Sequence, residues 1–310
     1  MRHLDRSQDS HYRQFQLLEA EAAPNQPGMD PSLTHHESHG KSGRAGIHFT
    51  RSQPMEFAIE THQLSRTFDQ FIAVDAIDVR VKPGQFYGFL GPNGAGKSTT
   101  IKMLTGLLAS SGGSMRLLGV DLADPTAARE VKRRIGVVPE NLALFENLTA
   151  REYLTFIGRM YGVPADVVRQ RSQELLEVMD LAAAETKLTV EYSHGMKKKL
   201  SLAAALLPKP ELLFLDEPFE GVDAVASRQI KDVLKRFVDH GSTVFLTSHV
   251  MEIVERLCTQ VGIIVKGRLV FQDSMENLRA AGGSLEDRFI ALVGSDHVET
   301  QKLNWLEGAA

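Results

Sequence analysis

Gly91, Pro92, Asn93, Gly94, Ala95, Gly96, Lys97, Ser98 and Thr99 are the residues whose types and spacing point most directly to chemistry. They follow the apolar run from Phe86 to Leu90 and precede a helix-compatible stretch from Thr100 to Leu104, so a strand, a glycine loop and a helix are expected in that order. Glycines let a backbone wrap closely enough for successive N–H groups to face phosphate oxygens, and the positive end of the following helix adds to the attraction. This is the P-loop pattern G-x-x-x-x-G-K-[ST]. Lys97 is expected to reach the β/γ-phosphates of a nucleotide and the Ser98 hydroxyl to ligate Mg²⁺. The bland alternative is a plain glycine turn, against which the full pattern stands in its strand-loop-helix context.

A second group of residues supplies what such a loop needs beside it. The apolar run from Glu211 ends at Asp216 and is followed by Glu217. Ligands of open α/β sheets bind outside the carboxyl ends of the strands. Asp216 is therefore expected to hold Mg²⁺, directly or through water, and Glu217 to polarise an attacking water as general base. A solvated acidic turn is the alternative.

The elements that must position these residues are legible in outline. Strand-like alternation begins near Met55 and recurs from Ala73 to Val81, and Pro83 with Gly84 turns the chain into the P-loop strand. Gly112 and Gly113 are read as a break, Ser114 to Val120 as a short strand, and Arg134 to Val138 as a buried strand. From Glu140 the pattern is helical for about sixty residues. Thr149 to Glu152 is a capping box, with Leu154, Ile157 and Tyr161 on one face of the helix it starts. Pro164 opens a second helix with Val168, Leu175, Leu176 and Met179 on its apolar side. The runs 211–216 and 242–248 suit a parallel sheet covered on both faces. The segments 261–265 and 268–271, joined at Lys266 and Gly267, read as a hairpin.

Composition sets the bounds. A chain of 310 residues with ordinary apolar and charged fractions can bury a sizeable core. A formal net charge of −4 gives no global basic field for nucleic acid. The single cysteine, Cys258, excludes an intrachain disulfide framework and fits a reducing cytoplasm, where it is read as a small buried hydrophobe. No window has the apolar length of a membrane span, and Met1 to Ser10 lacks the apolar centre of a signal peptide. The chain is expected to stay in the cytoplasm, so a membrane process would need another polypeptide. The segment 1–54 is polar and reads as a disordered tail; His35, His36 and His39 in it lack a Cys or acidic partner at metal-site spacing.

Taken together, the residues from about Met55 to about Gly294 resemble the ATP-binding subunit of an ABC transporter. The most diagnostic piece is Tyr192, Ser193, His194, Gly195 and Met196, followed by Lys197, Lys198, Lys199 and Leu200, which is similar to the family's Leu-Ser-Gly-Gly-Gln signature. Ser193 and the Gly195 backbone at a helix N-terminus make a second anion cradle. The resemblance implies that this cradle binds the γ-phosphate of ATP held by a partner subunit's P-loop. His194 and Met196 depart from the usual Gly and Gln in a form that resembles the ABC-2 type exporter branch. The basic run Lys197 to Lys199 is read as a solvated face.

Other positions carry over by the same resemblance. His249 matches the switch histidine that contacts the γ-phosphate, and Asp223 the aspartate of the loop that communicates across the dimer. Phe68 matches the aromatic that stacks on adenine, a role open to any π-face. Glu140 stands where many relatives carry a Gln that joins core and helical lobe; it adds charge near Mg²⁺, and Asn141 is expected to be able to share the role. Leu285 to Ile290 resembles a short closing helix.

The implied fold is α/β: a P-loop NTPase core with a mostly parallel sheet, an N-terminal antiparallel β subdomain and an α-helical signature subdomain inserted at about 141–204. The ATPase domain would span 55–294, between the polar tail and a C-terminal tail, 295–310. The implied function is an ATPase using ATP and Mg²⁺, partnered by a second copy of itself and by a separate transmembrane permease, on the cytoplasmic face of the cell membrane, with export favoured. A soluble ABC ATPase acting on ribosomes or nucleic acid is the competing reading, weakened by the presence of one P-loop and one signature where such relatives usually carry two cassettes. A P-loop kinase would have no use for the signature stretch.

Overall fold

A computed structural model describes residues 55–282 and 284–293. The expectations for the N-terminal tail with its histidines, and for the tail 295–310, fall outside the described residues. The chain opens with β1 (Ile59–Phe68), β2 (Phe71–Ile77) and β3 (Arg80–Val81), followed by β4 (Phe86–Leu90), α1 (Lys97–Leu104), β5 (Gly112–Leu117), β6 (Val120–Asp121), α2 (Pro125–Lys132) and β7 (Ile135–Val138). A helical stretch comprises α3 (Ala150–Met160), α4 (Ala165–Val178) and α5 (His194–Leu206). Then come β8 (Leu212–Asp216), α6 (Ala224–Asp239), β9 (Thr243–Ser248), α7 (Met251–Leu257), β10 (Gln260–Val265), β11 (Arg268–Ser274), α8 (Met275–Ala280) and α9 (Leu285–Val293).

The strands form two sheets. The smaller one is antiparallel in the order β2-β1-β5-β6, with β3 also paired to β1. The larger runs β11-β10-β4-β9-β8-β7, parallel throughout except for the β10-β11 hairpin at its edge. Its central strands β4, β8 and β9 are buried along their whole length. Because side chains alternate along a strand, each of these feeds two cores. Phe86, Leu90, Leu213, Leu215, Val244 and Leu246 face the core shared with the helical lobe. Tyr87, Phe89, Leu212, Phe214 and Phe245 face the other, where Phe245 stacks on Tyr87 at 5.3 Å between ring centroids. Each large side chain fully buried this way contributes about 1.5–3 kcal/mol.

Two expectations are corrected in the smaller sheet. Gly112 and Gly113 do not break the chain but begin β5, and the strand expected over Ser114 to Val120 ends at Leu117, turns at Leu118 and Gly119, and resumes as β6. Gly113 has φ +79, and a Cβ there would lie 2.2 Å from the Gln63 carbonyl oxygen of β1. Here the glycine permits close strand approach at a register shift, where its sequence context suggested punctuation.

In the helical lobe, Thr149 caps α3 by accepting from the Glu152 N–H, and the Glu152 carboxylate accepts from the Thr149 N–H at 2.9 Å. Pro164 precedes α4. Tyr153, Leu154, Val168, Leu176, Met179 and Leu200 form the lobe's interior, continuous with the core beneath the parallel sheet. The lysines at the start of α5 are a third correction. Lys197 is half-buried beside Glu146, but Lys198 and Lys199 are buried, because the helix turns that face into the junction between lobe and sheet.

Candidate active site

The loop after β4 leads into α1 through Gly96, which has φ +108 and a Cβ position only 2.4 Å from the Ala73 carbonyl oxygen. No side chain caps α1 and no acid sits in its first turn, so its leading N–H groups have no competitor for an anion. Lys97 is buried, with Nζ donating to the carbonyls of Gly91 at 2.7 Å and Pro92 at 3.3 Å. Its ammonium thus lies folded back along the loop.

Strand β8 ends directly beside this loop. Glu217 is buried and has φ +47, a conformation that costs an L-residue about 1–2 kcal/mol and marks a backbone held by its surroundings. Its Oε1 lies 3.5 Å from Lys97 Nζ, and its Oε2 lies 3.1 Å from His249 Nδ1 at the end of β9. Oε1 is buried, and its contact with Lys97 is an ion pair without a hydrogen bond, so its acceptor capacity is unused. Asp216, also buried, accepts the Thr247 hydroxyl at 2.6 Å, and the same hydroxyl accepts the Glu217 N–H at 3.1 Å. Thr247 therefore fixes the acidic pair from the neighbouring strand.

Glu140, just past β7, faces the start of α1, and the Ser98 hydroxyl donates to its Oε2 at 3.5 Å. Ser98, Glu140 and Asp216 offer oxygen donors only, the chemistry preferred by Mg²⁺. No cluster of three or more His, Cys, Asp or Glu able to hold a metal occurs among the described residues. Asn141 is not among the residues lining the site.

A cleft of about 340 Å³ is lined by Phe68, Phe71, Ala73, the loop from Asn93 to Thr99, Glu140 and Glu217, while Gly91, Pro92, Asp216 and His249 are not among its lining residues. Phe68 and Phe71 are opposite one another across the β1-β2 turn, both exposed, and the Arg66 guanidinium lies 4.5 Å from the centre of the Phe68 ring. The cleft thus has a phosphate-sized charged end and an aromatic end.

Ser193, Gly195 and Asp223 do not line this cleft. Ser193 caps α5, accepting the Met196 N–H at 3.3 Å, and is exposed. Asp223 caps α6 by accepting the N–H groups of Val225 and Ala226, each at 2.9 Å, and the Ala226 bond leads the effects that hold its carboxyl below the usual range. A Cβ on Gly195 would lie 3.6 Å from Asp223 Oδ2, and one on Gly221 would lie 3.0 Å from the His194 ring. The signature loop and the loop 219–223 therefore pack together, apart from the P-loop. Sequence reasoning singled out neither Phe71 nor Thr247 and misread Lys198. The Phe71 signal was present, since a short turn between two aromatics reads as a hairpin, whereas the other two depend on contacts distant in sequence.

The ABC transporter family profile matches residues 74–220. The chain is 38% identical over 227 residues to the daunorubicin/doxorubicin resistance ATP-binding protein DrrA of Streptomyces peucetius, covering 73% of this chain and 68% of that one. It is also 38% identical over 226 residues to the Nod factor export ATP-binding protein I of Paraburkholderia xenovorans, covering 73% and 74%. Among solved structures, the ATP-binding subunit of an ABC transporter superposes with a TM-score of 0.71 at 28% identity, over 76% of this chain and 99% of that one. A dimeric ATP-binding cassette bound to ADP and Pi shares the fold, with a TM-score of 0.65 at 20% identity, over 70% and 98%.

Proposed function

The chain belongs to the ABC transporter family as an ATP-binding, ATP-hydrolysing subunit, and we propose that the transporter it energises is an exporter. Subunits of this kind generally dimerise and work with transmembrane components. No described helix is long and apolar enough to cross a membrane. In this reading the protein acts at the cytoplasmic face of the membrane as a homodimer beside a separate permease. The names of two relatives, one for drug resistance and one for export, support the direction. Co-purification with a permease from detergent-solubilised membranes supports the assignment; association with ribosomes instead would overturn it.

The reaction is attack of water on the γ-phosphate of ATP. The observation that carries the assignment is the Glu217 carboxylate, buried at the mouth of the P-loop with its Oε1 3.5 Å from Lys97 Nζ and its Oε2 3.1 Å from His249 Nδ1. Glu217 orients and deprotonates the water. Lys97 leaves the Gly91 and Pro92 carbonyls to neutralise β/γ-phosphate charge, and His249 holds the carboxylate and reports the γ-phosphate. Residues 91–99 cradle the phosphates, and Phe68 stacks on the base. Ser98, Asp216 and Glu140 would hold Mg²⁺, which supplies charge neutralisation at the phosphates when bound. Ser193 and Gly195 complete the site from a second copy, and Asp223 braces the loop between the two halves.

Glu217→Gln tests this directly. ATP binding should persist, turnover should fall about 100-fold or more, and an ATP-trapped dimer should accumulate. Wild-type turnover in that variant would move the base elsewhere, with Glu140 the next candidate.

A further inference from the structure

Lys198 is a buried cation that the reaction just described does not use. It lies one turn into α5, the helix capped by Ser193, and is only 2% exposed. Its Nζ donates to two backbone carbonyls, Glu217 at 3.1 Å and Glu140 at 3.3 Å. These are the two acidic residues of the cleft that arrive from different strands. Desolvation holds the ammonium's pKa below the ordinary lysine range, opposed by the negative charge of Glu220, Glu140, Asp216 and Glu217. Burying an ammonium is costly, and here the two carbonyl bonds and the surrounding negative charge offset only part of that cost.

The bond to Glu217 matters because of that residue's backbone. With φ at +47, Glu217 is in a strained backbone conformation that the surroundings must enforce. Thr247 holds the N–H on one side of the residue and Lys198 holds the carbonyl on the other. Fixing both peptide groups fixes the direction in which the carboxylate leaves the backbone. The second bond, to Glu140, ties the same ammonium to the loop that reaches Ser98. We propose that Lys198 is a positioning residue for Glu217, holding its carboxylate at the attacking water and making that alignment depend on the seating of the signature helix. This rests on Glu217 being the base.

The test compares Lys198→Met, Lys198→Arg and Glu217→Gln, singly and with Lys198→Met combined with Glu217→Gln. Lys198→Met should lower kcat about 100-fold, as expected for a misplaced reacting group, with the Kd for ATP changed less than about threefold. Lys198→Arg keeps a donor and charge and should recover most of the rate. If Lys198 acts through Glu217, adding Lys198→Met to Glu217→Gln should lower the residual rate no further. A near-normal kcat in Lys198→Met, or independent multiplication of the two losses, would overturn the proposal while leaving Glu217 as base. Parallel loss of ATP affinity, thermal stability and kcat in Lys198→Met, not rescued by arginine, would also overturn it, because the role would then be structural. Normal turnover in Glu217→Gln would remove the underlying assignment instead, a result distinguishable from the others.

Discussion

Two helices in this protein begin with the same device and end in opposite surroundings. Both α1 and α5 have a glycine at or near the N-terminus, and both are proposed to receive phosphate. The start of α1 is enclosed: Gly96 is wedged against the Ala73 carbonyl, and Lys97, Glu217 and Glu140 crowd the same cleft. The start of α5 is open. Ser193 and His194 are exposed, and the loop 219–223 flanks them with Asp223 and Gly221. In the proposed reading, an anion at α1 meets the machinery to hydrolyse it, while an anion at α5 meets only a cradle. On that reading, the fold would divide binding and catalysis between two faces that a head-to-tail pair of copies would bring together.

Removing the cation at the enclosed end should have the largest effect. Lys97→Met deletes the charge opposite Glu217 and the ligand for the β/γ-phosphates, so ATP affinity in titration calorimetry should drop about 100-fold or more. Retained affinity would mean that the backbone cradle alone carries binding, and that the two helix starts differ less than proposed.

At the open end the prediction separates binding from association. In the Glu217→Gln background, Ser193→Arg should leave ATP affinity of the single subunit within about threefold, since Ser193 is outside the cleft, yet weaken ATP-dependent dimerisation at least about tenfold by light scattering. Dimerisation as strong as in the parent would show that the signature stretch is not an intersubunit clamp.

The comparison also shows what a sequence displays and what it conceals. The P-loop, the apolar runs at 211–216 and 242–248 and the capping box at Thr149 are local patterns, and each recurs as an element or cap. The hairpin at Lys266 and Gly267 was equally local. Lys197, Lys198 and Lys199 show the opposite case. Three consecutive cations look solvated because charge is the only local information, but a helix distributes consecutive residues by about 100° each, and α5 packs against β7 and α6. Lys198 then finds carbonyls 19 and 58 residues away in opposite directions along the chain, and Lys199 finds Gln229. Thr247 was hidden for the same reason, since its partners lie on the neighbouring strand. Gly113 looked like punctuation because nothing local announces the Gln63 carbonyl beneath it.

The finest test uses one methyl group at each helix start. Gly96→Ala forces a Cβ to within 2.4 Å of the Ala73 carbonyl oxygen at φ +108, so the loop must shift or the strand behind it must give. A stability loss of about 1–3 kcal/mol is expected in denaturant titration, together with loss of nucleotide binding. Gly195 lies inside α5 and does not have a left-handed φ; its added Cβ would meet only Asp223 Oδ2, at 3.6 Å, an ordinary contact. Because alanine is the better helix former, Gly195→Ala should stabilise the fold slightly, by up to about 1 kcal/mol. Any cost should appear in ATP-dependent association, where the methyl would stand on the cradle's open side. Equal destabilisation by both substitutions would mean that the start of α5 is as enclosed as that of α1, and the division between a catalytic face and a receiving face would fail.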